Sequence, residues 1–135
     1  MPESAAHARL VRTILEFINR NFAPLSEIAV RDDSSSPVRG ERPPLISGFV
    51  PDVYAVNVPT TMTIIGEAKT RRDLETTHSQ AQIIAFIQYL STLSDGVFVL
   101  SVPLVAGAAT RRTIEAANRV IPSPSTRIFI LDGIA

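Results

Sequence analysis

The chain has 135 residues, is 45% hydrophobic and balances thirteen basic against thirteen acidic side chains, a formal charge of zero. That size and apolar content suit one domain, residues 1–135, and the absence of cysteine excludes disulfides and thiolate metal sites. Zero net charge argues against strong indiscriminate attraction to nucleic acid, so any basic surface must be local.

No apolar span is long enough for a bilayer and no basic-then-apolar leader is visible, so the expectation is a cytoplasmic protein with no membrane partner. Leu10, Val11, Ile14, Leu15, Phe17 and Ile18 recur at helical spacing, with Arg9, Arg12, Glu16 and Arg20 opposite them. This predicts an amphipathic helix over about Glu3 to Asn21. Glu16 lies four residues from both Arg12 and Arg20, the spacing of an exposed ion-pair ladder. Beyond Pro24, Glu27 to Arg31 reads as a short strand. Asp32 to Ser47, rich in Ser and Pro with Arg39 and Arg42 interleaved, reads as a long loop. It either carries Arg to phosphates or is a surface excursion.

Two apolar runs, Val53 to Val58 and Met62 to Ala68, flank Pro59-Thr60-Thr61, where Pro removes a backbone donor and favours a turn. A β-hairpin centred between Pro59 and Thr60 pairs Tyr54 with Ile65 and Val53 with Gly66, and sets Asp52 across from Glu67. Facing residues project to one side, as do residues two apart, so Asp52, Glu67 and Lys69 converge. Two carboxylates roughly 5 Å apart at an effective dielectric near 20 repel by about 3 kcal/mol, so a cation must sit there. Lys69 supplies part of the compensation, and a divalent metal held through carboxylate oxygens can supply the rest. Lys69 is the chain's only lysine against twelve arginines. A compact ammonium is the better group for holding a water molecule.

Thr70 to Glu75 reads as a polar connection, with Arg71 and Arg72 placed for phosphate contact or simple solvation. Thr77-His78-Ser79-Gln80 has the S/T-x-x-Q capping pattern and predicts a helix from there to about Leu93, with Gln80 as a cap residue. Within it Gln82, Phe86 and Leu90 share one face. His78 at the helix start is either a surface neighbour or a general base. Asp95-Gly96 breaks the helix, Val97 to Val102 reads as a buried strand, Ala106 to Val120 as a helix and Thr126 to Leu131 as a final strand. The strands on either side of the Gln82 helix are expected to be parallel with a right-handed crossover.

Pro51-Asp52, then fourteen intervening residues, then Glu67-Ala68-Lys69 on the next strand resembles the signature of the PD-(D/E)xK nuclease superfamily. Gln82 and Phe86 are similar to the Q-x-x-x-Y element of its RecB-like members, with Phe in place of Tyr. The resemblance covers about Ala5 to Val102. It implies an α/β restriction-endonuclease-like fold: a mixed sheet with flanking helices in the order αβββαβ, followed here by a C-terminal αβ. It also implies a Mg²⁺-dependent nuclease acting on DNA, of junction-resolvase or restriction type, with Mn²⁺ able to substitute. Asp52, Glu67 and the Ala68 carbonyl would hold the metal, Lys69 would orient or activate the attacking water, and Gln82 would assist. Related nucleases sometimes use a first-helix acid at the metal, a role open to Glu16 as an alternative to a solvated helix face. Arg39, Arg42, Arg71 and Arg72 are the candidate DNA contacts. Small size suggests a homodimer through the last helix and strand. The alternative is a nuclease-fold DNA-binding or protein-interaction module that does not cleave.

Overall fold

The computed structural model describes residues 4–34, 37, 40–121 and 125–132. Arg39 lies outside them. The chain forms helix α1 (Ala5–Asn21), strands β1 (Glu27–Asp32), β2 (Val53–Val58) and β3 (Thr63–Ala68), and the one-turn helix α2 (Arg71–Leu74). Helix α3 (Thr77–Ser91), strand β4 (Gly96–Val102), helix α4 (Gly107–Val120) and strand β5 (Arg127–Asp132) follow, with a 3₁₀ turn (Leu104–Ala106) leading into α4. This is an α/β fold on one five-stranded mixed sheet in the order β1-β2-β3-β4-β5. β2 pairs antiparallel with both β1 and β3, while β3, β4 and β5 run parallel.

β3 is the strand where the two modes meet, and all six of its residues are buried. A strand covered on both faces cannot alternate apolar with polar, which is why Thr-Ile-Ile-Gly reads as a continuous apolar run. Its alternation still divides the core. Ile64 and Ala68 pack with Val11, Ile14 and Ile18 of α1, whereas Ile65 packs with Ile83, Phe86 and Ile87 of α3. Gly66 lets α1 come close: a Cβ there would lie 2.7 Å from Ile14 Cγ2 and 3.2 Å from Val53 Cβ.

The hairpin has the expected register, Val53 with Gly66 and Tyr54 with Ile65. Its second strand starts one residue later than the apolar run, because Asn57 Oδ1 accepts the N–H groups of Thr61 and Met62 at 2.8 Å each. The start of α3 is a correction. Thr76, not Thr77, is the N-cap, its Oγ1 accepting the Ser79 N–H at 3.1 Å. Thr76 is held by donating to the Asp73 carbonyl at 2.8 Å, so the one-turn helix α2 sets the cap, and Gln80 joins only through its backbone N–H, which donates to the Thr76 carbonyl at 3.1 Å. The ion-pair ladder on α1 is a second correction: among the described residues no ion pair joins Glu16 to Arg12 or Arg20. Exposed pairs at that spacing gain only a few tenths of a kcal/mol, too little to fix two long side chains.

Candidate active site where β2 begins and β3 ends

The parallel strands β3 and β4 deliver their C-terminal ends to one edge of the sheet, the position at which open α/β sheets commonly bind ligands. There β2 begins as β3 ends. Asp52, one residue before β2, turns its backbone and side chain onto β3: its N–H donates to Glu67 Oε1 at 2.8 Å, and its Oδ2 accepts the Ala68 N–H at 2.8 Å. The two carboxyl groups are thus fixed to each other through the main chain. In an extended strand a residue's N–H and C=O point to the same neighbour, so the Ala68 carbonyl faces the same side as Asp52.

Glu67 is 1% exposed, the most enclosed charged side chain among the described residues. Burial pushes its carboxyl up to about 8 from an ordinary 4.5; the nearby Asp52 carboxylate adds to the rise, and Lys69 and the Asp52 N–H oppose it. Desolvation therefore outranks carboxylate repulsion as the origin of the cost. Lys69 Nζ lies 3.3 Å from Glu67 Oε2 and donates to Gln82 Oε1 on the second turn of α3. The Lys69 N–H donates to the Ser101 carbonyl of β4 at 3.0 Å, which fixes where that ammonium emerges. Hairpin spacing brought Asp52, Glu67 and Lys69 into one candidate group and the family resemblance added Gln82; the four meet here.

The other candidate residues are distributed around this cluster. Arg71 and Arg72 are exposed on α2, immediately beyond Lys69 and Thr70. Arg42 is engaged elsewhere, donating to Asp33 Oδ1 at 3.0 Å and to the Ser34 carbonyl at 2.7 Å, which ties the β1–β2 loop to the end of β1. His78 is exposed and meets the Phe49 ring edge-on, with centroids 5.5 Å apart. It sits one helical turn before Gln82. Phe86, the next residue on that stripe, is fully buried against Phe49, an environment with no use for a phenolic hydroxyl. Glu16 is exposed on α1 and lines a groove beside the helix rather than the carboxylate cluster.

One residue that sequence reasoning missed is His7, whose Nε2 lies 3.3 Å from Asp52 Oδ2. The backbone N–H of His7 donates to Ser4 Oγ, the N-cap, at 3.1 Å, so the first turn of α1 is fixed where the helix meets the start of β2. No local signal connects residue 7 with residue 52; only the packing of α1 across the sheet does.

The donors fit a hard divalent cation of the Mg²⁺ type. Such an ion is bound through one or two carboxylates and keeps several waters, and Asp52, Glu67 and the Ala68 carbonyl are all-oxygen donors. The raised carboxyl pKa follows first from burial and second from the Asp52 carboxylate, with one ammonium beside two carboxyl groups. Among the described residues no group of three or more His, Cys, Asp or Glu side chains forms a ready-made metal cage. No family model, curated protein or solved structure matches the chain.

Proposed function

We propose that this protein is a Mg²⁺-dependent nuclease that hydrolyses phosphodiester bonds in DNA, with the restriction-endonuclease-like arrangement of the PD-(D/E)xK superfamily. The observation that carries the reading is Glu67: a carboxyl buried to 1% exposure, pushed up to about 8, and fixed within one hydrogen bond of Asp52 and of the chain's only lysine. Natural sequences keep such a costly group where chemistry uses it.

Asp52, Glu67 and the Ala68 carbonyl would hold the metal, with Mn²⁺ able to substitute. When bound, that ion would lower the pKa of a water molecule and offset charge on the phosphate oxygens. The chain's own residues do the positioning. The backbone N–H groups of Asp52 and Ala68 hold the two carboxyl groups in place. Lys69 has three N–H donors; Glu67 and Gln82 take two, and the third is available to orient an attacking water. Gln82 is a positioning residue that fixes the ammonium. Arg71 and Arg72, exposed next to the cluster, suit phosphate contact. Pairing of two chains through α4 and β5 would present two such sites to a two-stranded substrate.

Incubation with Mg²⁺ or Mn²⁺ and a panel of plasmid, linear, junction and flap DNAs tests the reading. Cleavage that disappears with EDTA and in Asp52→Asn supports it. Binding without metal-dependent hydrolysis of any DNA or RNA in the panel supports the non-cleaving module instead.

A further inference from the structure

Beside α1 runs a groove of about 620 Å³ that the carboxylate cluster does not use. Arg9, Arg12 and Arg20 line it together with a single acid, Glu16. All three guanidinium groups belong to exposed residues, and the ion pairs among the described residues involve none of them. In a chain of zero net charge this is a local basic strip. Arg9 and Arg20 are separated by roughly 16 Å of helix at 1.5 Å per residue.

The rest of the lining is of a different kind. Leu10, Phe17, Leu104 and Leu131 contribute apolar surface, and Leu104 is 70% exposed. α1 packs over β2, β3 and β4, so the face of β5 that carries Leu131 is only half covered. Thr70, the residue after Lys69, also lines the groove.

We propose that this groove binds a single-stranded segment of polynucleotide leading into the carboxylate cluster. The inference rests on the nuclease reading and names its substrate class: DNA with an unpaired strand next to the bond that is cut. Charge and surface type select this occupant. A single strand offers phosphates to one wall and unstacked base faces to the other, which matches a guanidinium strip beside an apolar surface. A duplex stacks its bases inward and would set phosphates against Leu104 and Leu131, where no donor meets them. The presence of Thr70, the chain neighbour of Lys69, in the lining favours a substrate strand over an acidic peptide, which has no need to reach the cluster.

Fluorescence anisotropy of a labelled oligothymidylate, in EDTA so that nothing is cut, tests the groove. The wild-type protein should bind the oligonucleotide more tightly than a blunt duplex of equal length. The triple variant Arg9→Glu, Arg12→Glu, Arg20→Glu should lose about 100-fold in affinity, and its log–log salt dependence should flatten by about 2 for three lost phosphate contacts. Leu104→Ser, at an exposed position that folding does not depend on, should weaken binding several-fold with the salt slope unchanged. Circular dichroism of each variant checks the fold. Equal affinity and slope in the triple variant, or preference for the blunt duplex, overturns the proposal. So does a dimer that fails to bind the oligonucleotide and that Leu104→Ser dissociates, since the groove then holds a second copy. Because cleavage is absent from the readout, a protein that binds as expected and never cleaves contradicts the nuclease reading alone. One that cleaves yet shows none of these variant effects contradicts the groove alone.

Discussion

At the N-terminal end of the parallel strands Arg127 reaches Asp95 at 3.0 Å, with side chains 50% and 45% exposed; at the C-terminal end Lys69 lies 3.3 Å from Glu67, with 11% and 2% exposed. The shorter contact belongs to the pair that water screens, and such pairs contribute about 0–1 kcal/mol. The longer one contains a carboxyl pushed up to about 8. Distance between charges therefore does not show which pair is the costly one. What separates the two pairs is the removal of solvent from one acid while a second acid stands beside it.

If that contrast is real, substitutions at the two ends differ in kind as well as size. The largest effect is expected for Lys69→Ala, which should reduce DNA cleavage by at least about 10³-fold in single-turnover assays while metal binding is retained. It should also destabilise the metal-free protein, because the buried carboxyl cluster loses its one neighbouring ammonium. Retained cleavage would put Lys69 among the structural pairs.

The next effect is on stability. Glu67 has a folded pKa of about 8 against an ordinary 4.5, so its contribution is fully present below about 4.5 and is lost as pH rises to about 8. Through that window the unfolded chain releases the proton while the folded chain keeps it. Urea midpoints should fall across the window in the wild type. Glu67→Gln should remove that component of the slope and leave the protein as stable or more stable near pH 8, though inactive. A slope identical in the two proteins contradicts the assignment.

Gln82→Ala comes third. It removes the acceptor that orients Lys69, so cleavage should slow by about 10–100-fold without loss of fold, the size of a positioning effect. Smallest is Arg127→Ala at the other end of the sheet, expected to change stability by no more than about 1 kcal/mol and cleavage not at all. A larger loss of activity there would erase the contrast.

Much of this site could be read from the sequence because its geometry is local. Pro59 centres the hairpin, the hairpin fixes the register, and the register alone puts Asp52 beside Glu67 and Lys69. Gln82 came from the resemblance of its helix to a Q-x-x-x-Y element rather than from local geometry. What escaped depends on packing between distant segments or on elements too weak to signal themselves. His7 meets Asp52 only because α1 crosses the sheet over Gly66. α2 is a single turn, whose nucleation cost no local propensity covers, and with it went the true cap of α3. Arg42 was read as a candidate phosphate contact on a long loop; its bonds to Asp33 and the Ser34 carbonyl were not visible in the sequence. The groove beside α1 was likewise out of reach, since it depends on how far the helix covers β5.

Calorimetry of Mn²⁺ or Mg²⁺ binding, with and without uncleavable DNA and in buffers of different ionisation enthalpy, tests the central claim most directly. The account predicts a site lost in both Asp52→Asn and Glu67→Gln, with release of about one proton near pH 7 as the Glu67 carboxyl ionises and little release above pH 9. Metal binding that does not depend on Asp52 and Glu67, or no binding even with DNA present, would contradict it.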